Sequence, residues 1–156
     1  MKEICIIPCG NKKIWSKYPE RQAVPAAEAY IGTFHNLCKS YAEKFFNTHL
    51  ILSAKHGLLR PEDEVDGMYD VSFSMKIPEV ITLEELQLQM KQKSLYMYDN
   101  YVVLTGKKYV PILGGIIPSS AQLDFPLLDC KGIGYMQRRL KQAIESDTPI
   151  HKVIQA

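Results

Sequence analysis

Short runs rich in apolar and β-branched residues alternate along this chain with longer segments of helical periodicity. The runs lie at 4–8, 48–53 and 101–105, and a small or polar residue follows each of them. Apolar runs of this length are typical of strands buried on both faces of a parallel sheet. The segments 25–46 and 82–98 place apolar residues three and four positions apart, as a helix packed on a core does. This order predicts an α/β fold, a three-layer sandwich with a mostly parallel sheet of four to five strands.

Local signals indicate where these elements begin and end. Pro25 suits a first helical position and Glu28 suits a first turn, which predicts a helix from 25 to about 46. Thr82 followed by Glu85 matches a capping box and predicts a second helix to about 98. We further expect a short helix that ends at Leu113, an edge strand at 122–125 and a last helix at 133–146. With a long loop at 11–24 and an irregular excursion at 60–81, these elements form a single domain of residues 1–156, in which 147–156 are a frayed tail.

The candidate binding residues follow the ends of the three predicted strands. Small residues let a ligand approach the backbone, and amides at a following helix start can bind an anion. Ligands bind at the carboxyl ends of strands in open α/β sheets, so these loops are expected to meet in one crevice. The candidates are Cys9, Gly10, Asn11 and Lys12 after the first strand, Ser53, Lys55, His56 and Gly57 after the second, and Thr105 and Gly106 after the third.

Several function classes are not favoured by the sequence. No Walker A pattern occurs and no GxGxxG follows the first strand, so neither ATP hydrolysis nor ordinary dinucleotide binding is predicted. The four cysteines are far apart with no CxxC pair, which predicts reduced thiols, no metal site and no cofactor. No apolar run approaches the roughly 18 residues of a membrane helix. We therefore expect a cytoplasmic protein with no membrane partner.

Charge is informative through its distribution. The net charge of +2 is too small to identify a nucleic-acid partner. The loop at 11–24 nevertheless combines basic and aromatic side chains, a combination that can hold phosphate and stack bases. A solvated loop with its aromatic rings folded inward fits the pattern equally well. The residues concerned are Lys12, Lys13, Trp15, Lys17, Tyr18 and Arg21.

Three residues are candidates for catalysis. His56 titrates near neutrality and could act as an acid or a base, or be satisfied by a backbone carbonyl. Glu28 could contact a ligand or act as a base, or simply complement a helix dipole. Asp70, in the excursion, could orient a water molecule or stabilise a turn.

Two further side chains have both a functional and a structural interpretation. Cys9 could be a nucleophile activated by a helix start and by Lys12, although a small residue packed at a strand end is favoured. Tyr69 could stack on a nucleobase.

Taken together, the motifs resemble a known family. They are PCGNKK at 8–13, PAAEAY at 25–30, LSAKHGLL at 52–59, Tyr69-Asp70, Leu104-Thr105-Gly106 with Tyr109, and Gly132-Ile133-Gly134 before a helix. This set resembles the bacterial and phage family DUF6884 over nearly the whole chain. Gly10-Asn11 stands where that family often has Ser-Lys, and His56 where Tyr is common. The family is distantly similar to Rossmann-like base-processing domains, including uracil-DNA-glycosylase-like folds, and this implies binding or chemistry at a nucleobase.

Two hypotheses follow, both with a nucleotide or nucleic acid as partner. In the first, the protein hydrolyses or exchanges an N-glycosidic bond. Asn11 and Glu28 contact the base, Lys12 and Lys55 neutralise phosphate, and Asp70 or His56 positions the attacking water or the leaving base. In the second, the protein binds or senses the nucleotide without turnover. A carboxylate within hydrogen-bond reach of His56 in a closed pocket favours catalysis, whereas an open basic groove favours binding.

Overall fold

The structure, a computed structural model, describes residues 2–152 and contains a five-stranded central sheet. The sheet order is β4-β3-β1-β6-β7, with β1 parallel to both β3 and β6, β7 parallel to β6, and β4 antiparallel to β3. Two short strands, β2 and β5, pair separately. The α/β fold with a mostly parallel sheet is confirmed. The strands are β1 (Glu3–Pro8), β2 (Val24–Pro25), β3 (His49–Ser53), β4 (Gly57–Leu59), β5 (Glu64–Val65), β6 (Asn100–Val103) and β7 (Gln122–Asp124).

Helices cover both faces of the sheet, so that the core has two halves. On one face, Cys5 and Ile7 of β1 pack with Leu140 of the last helix. On the other face, Ile4 and Ile6 pack with residues of the capped helix that begins after Thr82. This alternation along β1 explains why the whole strand is apolar. The helices are α1 (Ile14–Lys17), α2 (Ala26–Ala29), α3 (Thr33–Phe45), α4 (Leu83–Gln92), α5 (Val110–Gly114) and α6 (Ile133–Ser146).

The helix predicted over 25–46 is two helices. After the single turn of α2, Tyr30 adopts extended backbone angles and Lys13 forms a β-bridge with it. The amide of Ile31 donates to the carbonyl of Lys12 at 3.0 Å. Because these residues pair with the loop after β1, α3 starts afresh at Thr33, next to the end of that strand.

The segment after β3 also differs from the prediction. It turns back as a hairpin, and β4 pairs with β3 in the register Ser53↔Gly57. Gly57 has a φ of +76°, and a Cβ there would lie 2.2 Å from Oε1 of Gln89. Glycine is therefore required at this position by the turn and by the packing of α4.

Helix α4 has the predicted capping box, but it ends at Gln92 instead of about 98. Ser94 has a φ of +56°, and the guanidinium of Arg60 donates to the carbonyl of Lys93 at 2.7 Å. A left-handed residue with a basic side chain on the last carbonyls is a common helix end. The last helix, α6, has the predicted bounds.

The end of the described chain is packed, in contrast to the expected frayed tail. The amides of Ile150 and His151 donate to the hydroxyl of Tyr41 at 2.9 and 3.2 Å, and His151 is buried. The amide of Lys152 donates to Asp124. Residues 153–156 of the predicted tail lie outside the described residues. Within residues 2–152, no helix has both the length and the apolarity needed to cross a membrane.

Candidate functional site

The main crevice lies between the carboxyl ends of β1 and β6. Helix α3 leads the chain from β1 to β3 on one side, whereas α4 leads it to β6 on the other. The loops after β1 and β6 therefore diverge, which is the usual position of a ligand site in this kind of sheet. Here they enclose a cavity of about 650 Å³. Its walls are Pro8, Gly10, Asn11 and Lys12; Gly32, Thr33, Phe34 and His35; Thr105, Gly106, Lys107, Lys108 and Tyr109; and Ile133, Met136 and Gln137.

Two long helices start at this crevice without a side-chain cap. Gly32 precedes α3 and Gly132 precedes α6, and neither helix start has a capping hydrogen bond from a side chain. The first amides of an α-helix have no partner within the helix and carry about half a positive charge. The break after α2 matters here, because a continuous helix from 25 to 46 would offer no start at this place.

The side-chain charges around the crevice have one sign. Lys12, Lys107 and Lys108 are exposed at its rim. The lining residues, all within the described part of the chain, include no aspartate or glutamate. Together with the helix starts, these lysines make the crevice electropositive.

Aromatic and apolar surface completes the crevice. Tyr109 is half-buried and its ring packs edge-on against Phe73. Burial, with a smaller effect of Cys9, raises the pKa of Tyr109 to about 12, so the phenol is neutral. A Cβ on Gly106 would lie 3.3 Å from Cε of Met136, so this glycine allows the β6 loop to approach α6 closely. The crevice can therefore hold a ligand with an anionic part and a flat apolar part.

Two lining residues carry buried polar atoms that have no hydrogen-bond partner among the described residues. His35 is 1% exposed, and its Nδ1 lies 2.8 Å from the carbonyl of Pro8. A carbonyl only accepts, so Nδ1 carries the proton. Burial lowers the pKa of His35 to about 4, against the opposing effect of the Pro8 bond. The ring is neutral, and its Nε2 has no partner; the same is true of Oγ1 of Thr105, which is also 1% exposed.

A second polar group lies between β1 and β3, and we call it the tyrosine cluster: Tyr30, Ser53 and Tyr69. The hydroxyl of Tyr69 bonds to the hydroxyls of Tyr30 and, at 2.7 Å, Ser53. Oγ of Ser53 also accepts from the amides of Lys55 and His56 at 3.2 and 3.1 Å. These bonds fix the excursion to the hairpin turn, so the cluster serves as internal framework.

Two cations enclose the ring of Tyr69. Nζ of Lys13 lies 4.4 Å from the ring centroid and Nζ of Lys55 lies 5.6 Å from it. Lys13 is only 3% exposed and donates to the carbonyl of Asn11 at 3.1 Å. Burial lowers the pKa of Lys13, and Cys9 and Asp70 oppose that effect. Tyr69 is 6% exposed, so its ring is not available to stack on a base as the sequence suggested.

Cys9 lies at the end of β1 and is half-buried. Burial raises the pKa of its thiol, although Lys13 and a hydrogen bond with Tyr69 lower it in part. The protonated thiol therefore predominates at neutral pH. Nucleophilic cysteines need the thiolate, so the packing interpretation of Cys9 fits better.

The three predicted catalytic residues are not brought together as a hydrogen-bonded set. The ring of His56 packs edge-on against Tyr69 at 4.9 Å, and its buried Nε2 has no partner within residues 2–152. Burial, followed by Lys55, lowers the pKa of His56. Asp70 is exposed. Glu28 is also exposed, and its carboxylate lies 3.5 Å from Arg21.

The predicted binding residues divide between the two regions. Gly10, Asn11, Lys12, Thr105 and Gly106 line the crevice. Those after β3 do not, because β4 turns that loop into a hairpin. Sequence reasoning missed Lys13, Tyr30, His35, Lys107, Lys108 and the start of α3. Gly32 inside the predicted helix was a signal for that start, because glycine often marks a break.

Comparison with known proteins gives a family but no activity. Residues 4–142 match a family of unknown function, DUF6884. The chain is also 46% identical, over 145 residues, to the uncharacterized protein YfjM of Bacillus subtilis (strain 168). This alignment covers 93% of the chain and 97% of that relative. Within residues 2–152, no group of three or more His, Cys, Asp or Glu side chains is arranged to hold a metal ion.

Proposed function

The chain belongs to the DUF6884 family of unknown function, and we propose that it binds nucleotides in the crevice between β1 and β6. One observation carries the proposal. Two uncapped helix starts and the three lysines of the rim converge on a crevice whose lining has no carboxylate. A phosphate group is the ligand part that helix starts and lysines bind together.

The size and chemistry of the crevice support a nucleotide over phosphate alone. Its volume of about 650 Å³ exceeds what one phosphate needs and falls in the usual range of small-molecule sites. Phe34, Tyr109, Ile133 and Met136 offer aromatic and apolar surface for a base. The proposed ligand is therefore a phosphate joined to a flat ring system.

Binding without turnover is better supported than N-glycosidic hydrolysis. Hydrolysis builds positive charge on the sugar, and a nearby carboxylate stabilises that charge. Asp70 and Glu28 are exposed and lie outside the crevice lining, and Glu28 pairs with Arg21. The electropositive lining would oppose such a transition state. Of the two functions expected from the sequence, the binding module is therefore the one we propose.

Titration of the purified protein by nuclear magnetic resonance tests this proposal. The probes are inorganic phosphate and the four ribonucleoside 5′-monophosphates, each at low and at moderate salt. We expect the amides of 33–35 and 133–136 to shift, and affinity to fall as salt rises because the binding is electrostatic. The double variant Lys12→Gln, Lys107→Gln should weaken binding by on the order of tenfold or more.

Lys91→Gln is the matched control, because Lys91 is exposed on α4 and does not line the crevice. It should leave affinity unchanged. Chromatography of the same samples detects any released base. Release of base that depends on Asp70 or Glu28 would overturn binding without turnover, and the absence of binding by all five probes would overturn the site itself.

A further inference from the structure

The floor of the crevice contains two polar atoms whose lack of a partner needs an explanation. Nε2 of His35 and Oγ1 of Thr105 are buried and have no hydrogen-bond partner within residues 2–152. Buried polar atoms in folded proteins are nearly always paired. An apolar side chain such as valine has almost the shape of threonine and would avoid the unpaired hydroxyl.

The two atoms belong to neighbouring parts of the floor. In the parallel pairing of β1 with β6, Ile6 is opposite Val103, and the amide of Leu104 donates to the carbonyl of Ile6 at 2.9 Å. The same register continued by two residues places Thr105 beside Pro8. His35 is bonded to the carbonyl of Pro8, so Pro8 links the two side chains.

A second contact supports this placement. Cys38 lies one turn after His35 on α3, and its Sγ is 3.8 Å from the carbonyl of Leu104. Helix α3 therefore passes directly over the end of β6. His35, which is nearer the helix start, is positioned over the next residues of that strand end, where Thr105 lies.

The chemistry of the pair restricts what it can bind. With its proton on Nδ1, His35 presents Nε2 only as an acceptor. A hydroxyl such as that of Thr105 both donates and accepts. A ligand hydroxyl can donate to His35 and accept from Thr105, which satisfies both atoms. A phosphate oxygen, which lacks a hydrogen when ionised, cannot donate to His35.

We infer that His35 and Thr105 together bind a sugar hydroxyl of the nucleotide, so that the crevice selects ribonucleotides over nucleotides that lack ribose hydroxyls. This inference rests on the proposed function. The geometry agrees with it, because His35 is the third residue of α3 and thus lies within one turn of the amides proposed to hold the phosphate. In a nucleotide the sugar is the part joined directly to the phosphate.

The test compares each ribonucleoside 5′-monophosphate with its 2′-deoxy and 2′,3′-dideoxy counterparts. We expect the wild-type protein to bind the ribonucleotide on the order of tenfold more tightly than the dideoxy form, as for one or two lost hydrogen bonds. His35→Asn keeps a donor for the carbonyl of Pro8 but has no atom at the position of Nε2. This variant and Thr105→Val should reduce the ratio of the two affinities to nearly one, whereas Thr105→Ser should retain it.

A structural role alone would not change that ratio, and inorganic phosphate serves as the internal control. Its affinity should be the same in wild type, His35→Asn and Thr105→Val. The ¹⁵N shift of Nε2 of His35 gives a readout that needs no variant, because it should move when a ribonucleotide donates to it and not when phosphate binds.

Equal affinity for ribo and dideoxy forms, with phosphate still bound, would overturn this inference and leave the proposed function intact. Failure of every probe to bind would overturn both. If His35→Asn does not fold, Thr105→Val and the ¹⁵N shift decide the question.

Discussion

The crevice and the tyrosine cluster lie on either side of β1 and handle their polar groups in opposite ways. In the tyrosine cluster, the hydroxyls of Tyr30, Ser53 and Tyr69 satisfy one another in the protein interior. In the crevice, the floor atoms of His35 and Thr105 are unpaired and two helix starts lack caps. Polar groups that are already paired stabilise a fold, whereas unpaired ones cost stability unless a ligand meets them. The contrast identifies the crevice as the binding region and the cluster as its support.

The largest expected effect is that of removing the central ring of the tyrosine cluster. Tyr69→Ala should lower the free energy of unfolding by about 3–5 kcal/mol, because it empties a buried site and leaves two hydroxyls unpaired. Denaturant unfolding measures the loss. Tyr96→Ala, at a side chain that is 44% exposed, is the control and should cost much less.

The same variant also tests the contrast between the two regions. If Tyr69→Ala remains folded at low temperature, its affinity for phosphate should be close to that of the wild type. Loss of phosphate binding by a folded Tyr69→Ala protein would contradict the separation of framework from binding region.

The next effect concerns pH and belongs to the crevice. Burial lowers the pKa of His35 from 6.5 to about 4, so the folded protein binds fewer protons than the unfolded chain between these values. Stability is then fully present above pH 6.5 and falls as the pH drops towards 4. The shift corresponds to about 3 kcal/mol at most.

Unfolding curves at several pH values measure this loss, and His35→Asn should show a shallower decline than wild type. Lys39 and His49 act on His35 in the same direction as burial, but to a smaller extent. His49, His56 and His151 are common to both proteins, so the difference between the two slopes isolates His35. Identical slopes would show that this ring is not kept neutral by the fold.

A smaller effect is expected for the acceptor at the hairpin turn. Ser53→Ala should destabilise the protein by about 1–3 kcal/mol, because the amides of Lys55 and His56 and the hydroxyl of Tyr69 lose a buried partner. Ser40→Ala is the control, since Ser40 is exposed on α3. Equal stability of the two variants would mean that the bonds to Ser53 contribute no net stability.

The two regions also differ in how far the sequence predicts them. The strands and the last helix are predictable because burial on both faces, and on one face, leaves a clear pattern of apolar residues. The hairpin is not, because β4 has only three residues, Gly57–Leu59, and follows β3 so closely that its apolar residues read as part of one strand end. The break before α3 is hidden because the apolar spacing of Tyr30 and Phe34 continues across it.

The sites show the same limit at the level of single residues. The residues after β1 and β6 line one crevice, as expected, because parallel strands end at the same edge. Lys12 and Lys13 are adjacent and chemically identical, yet the first is exposed and the second is 3% exposed. Only the bridge to Tyr30, a tertiary contact, decides which of the two is buried. Likewise, no pattern in the sequence indicates that His35 would contact Pro8.

The smallest expected effect has the opposite sign and compares the two regions most directly. Thr105→Val removes a buried hydroxyl just as Ser53→Ala does, but this hydroxyl has no partner within residues 2–152. Replacing it with a methyl group of similar shape should leave the free energy of unfolding unchanged or raise it by up to about 1 kcal/mol. Thermal unfolding without ligand measures the change, with Thr105→Ser as the control that keeps the hydroxyl. A loss as large as that of Ser53→Ala would mean that Thr105 is paired within the protein, and the floor of the crevice would then be framework like the tyrosine cluster.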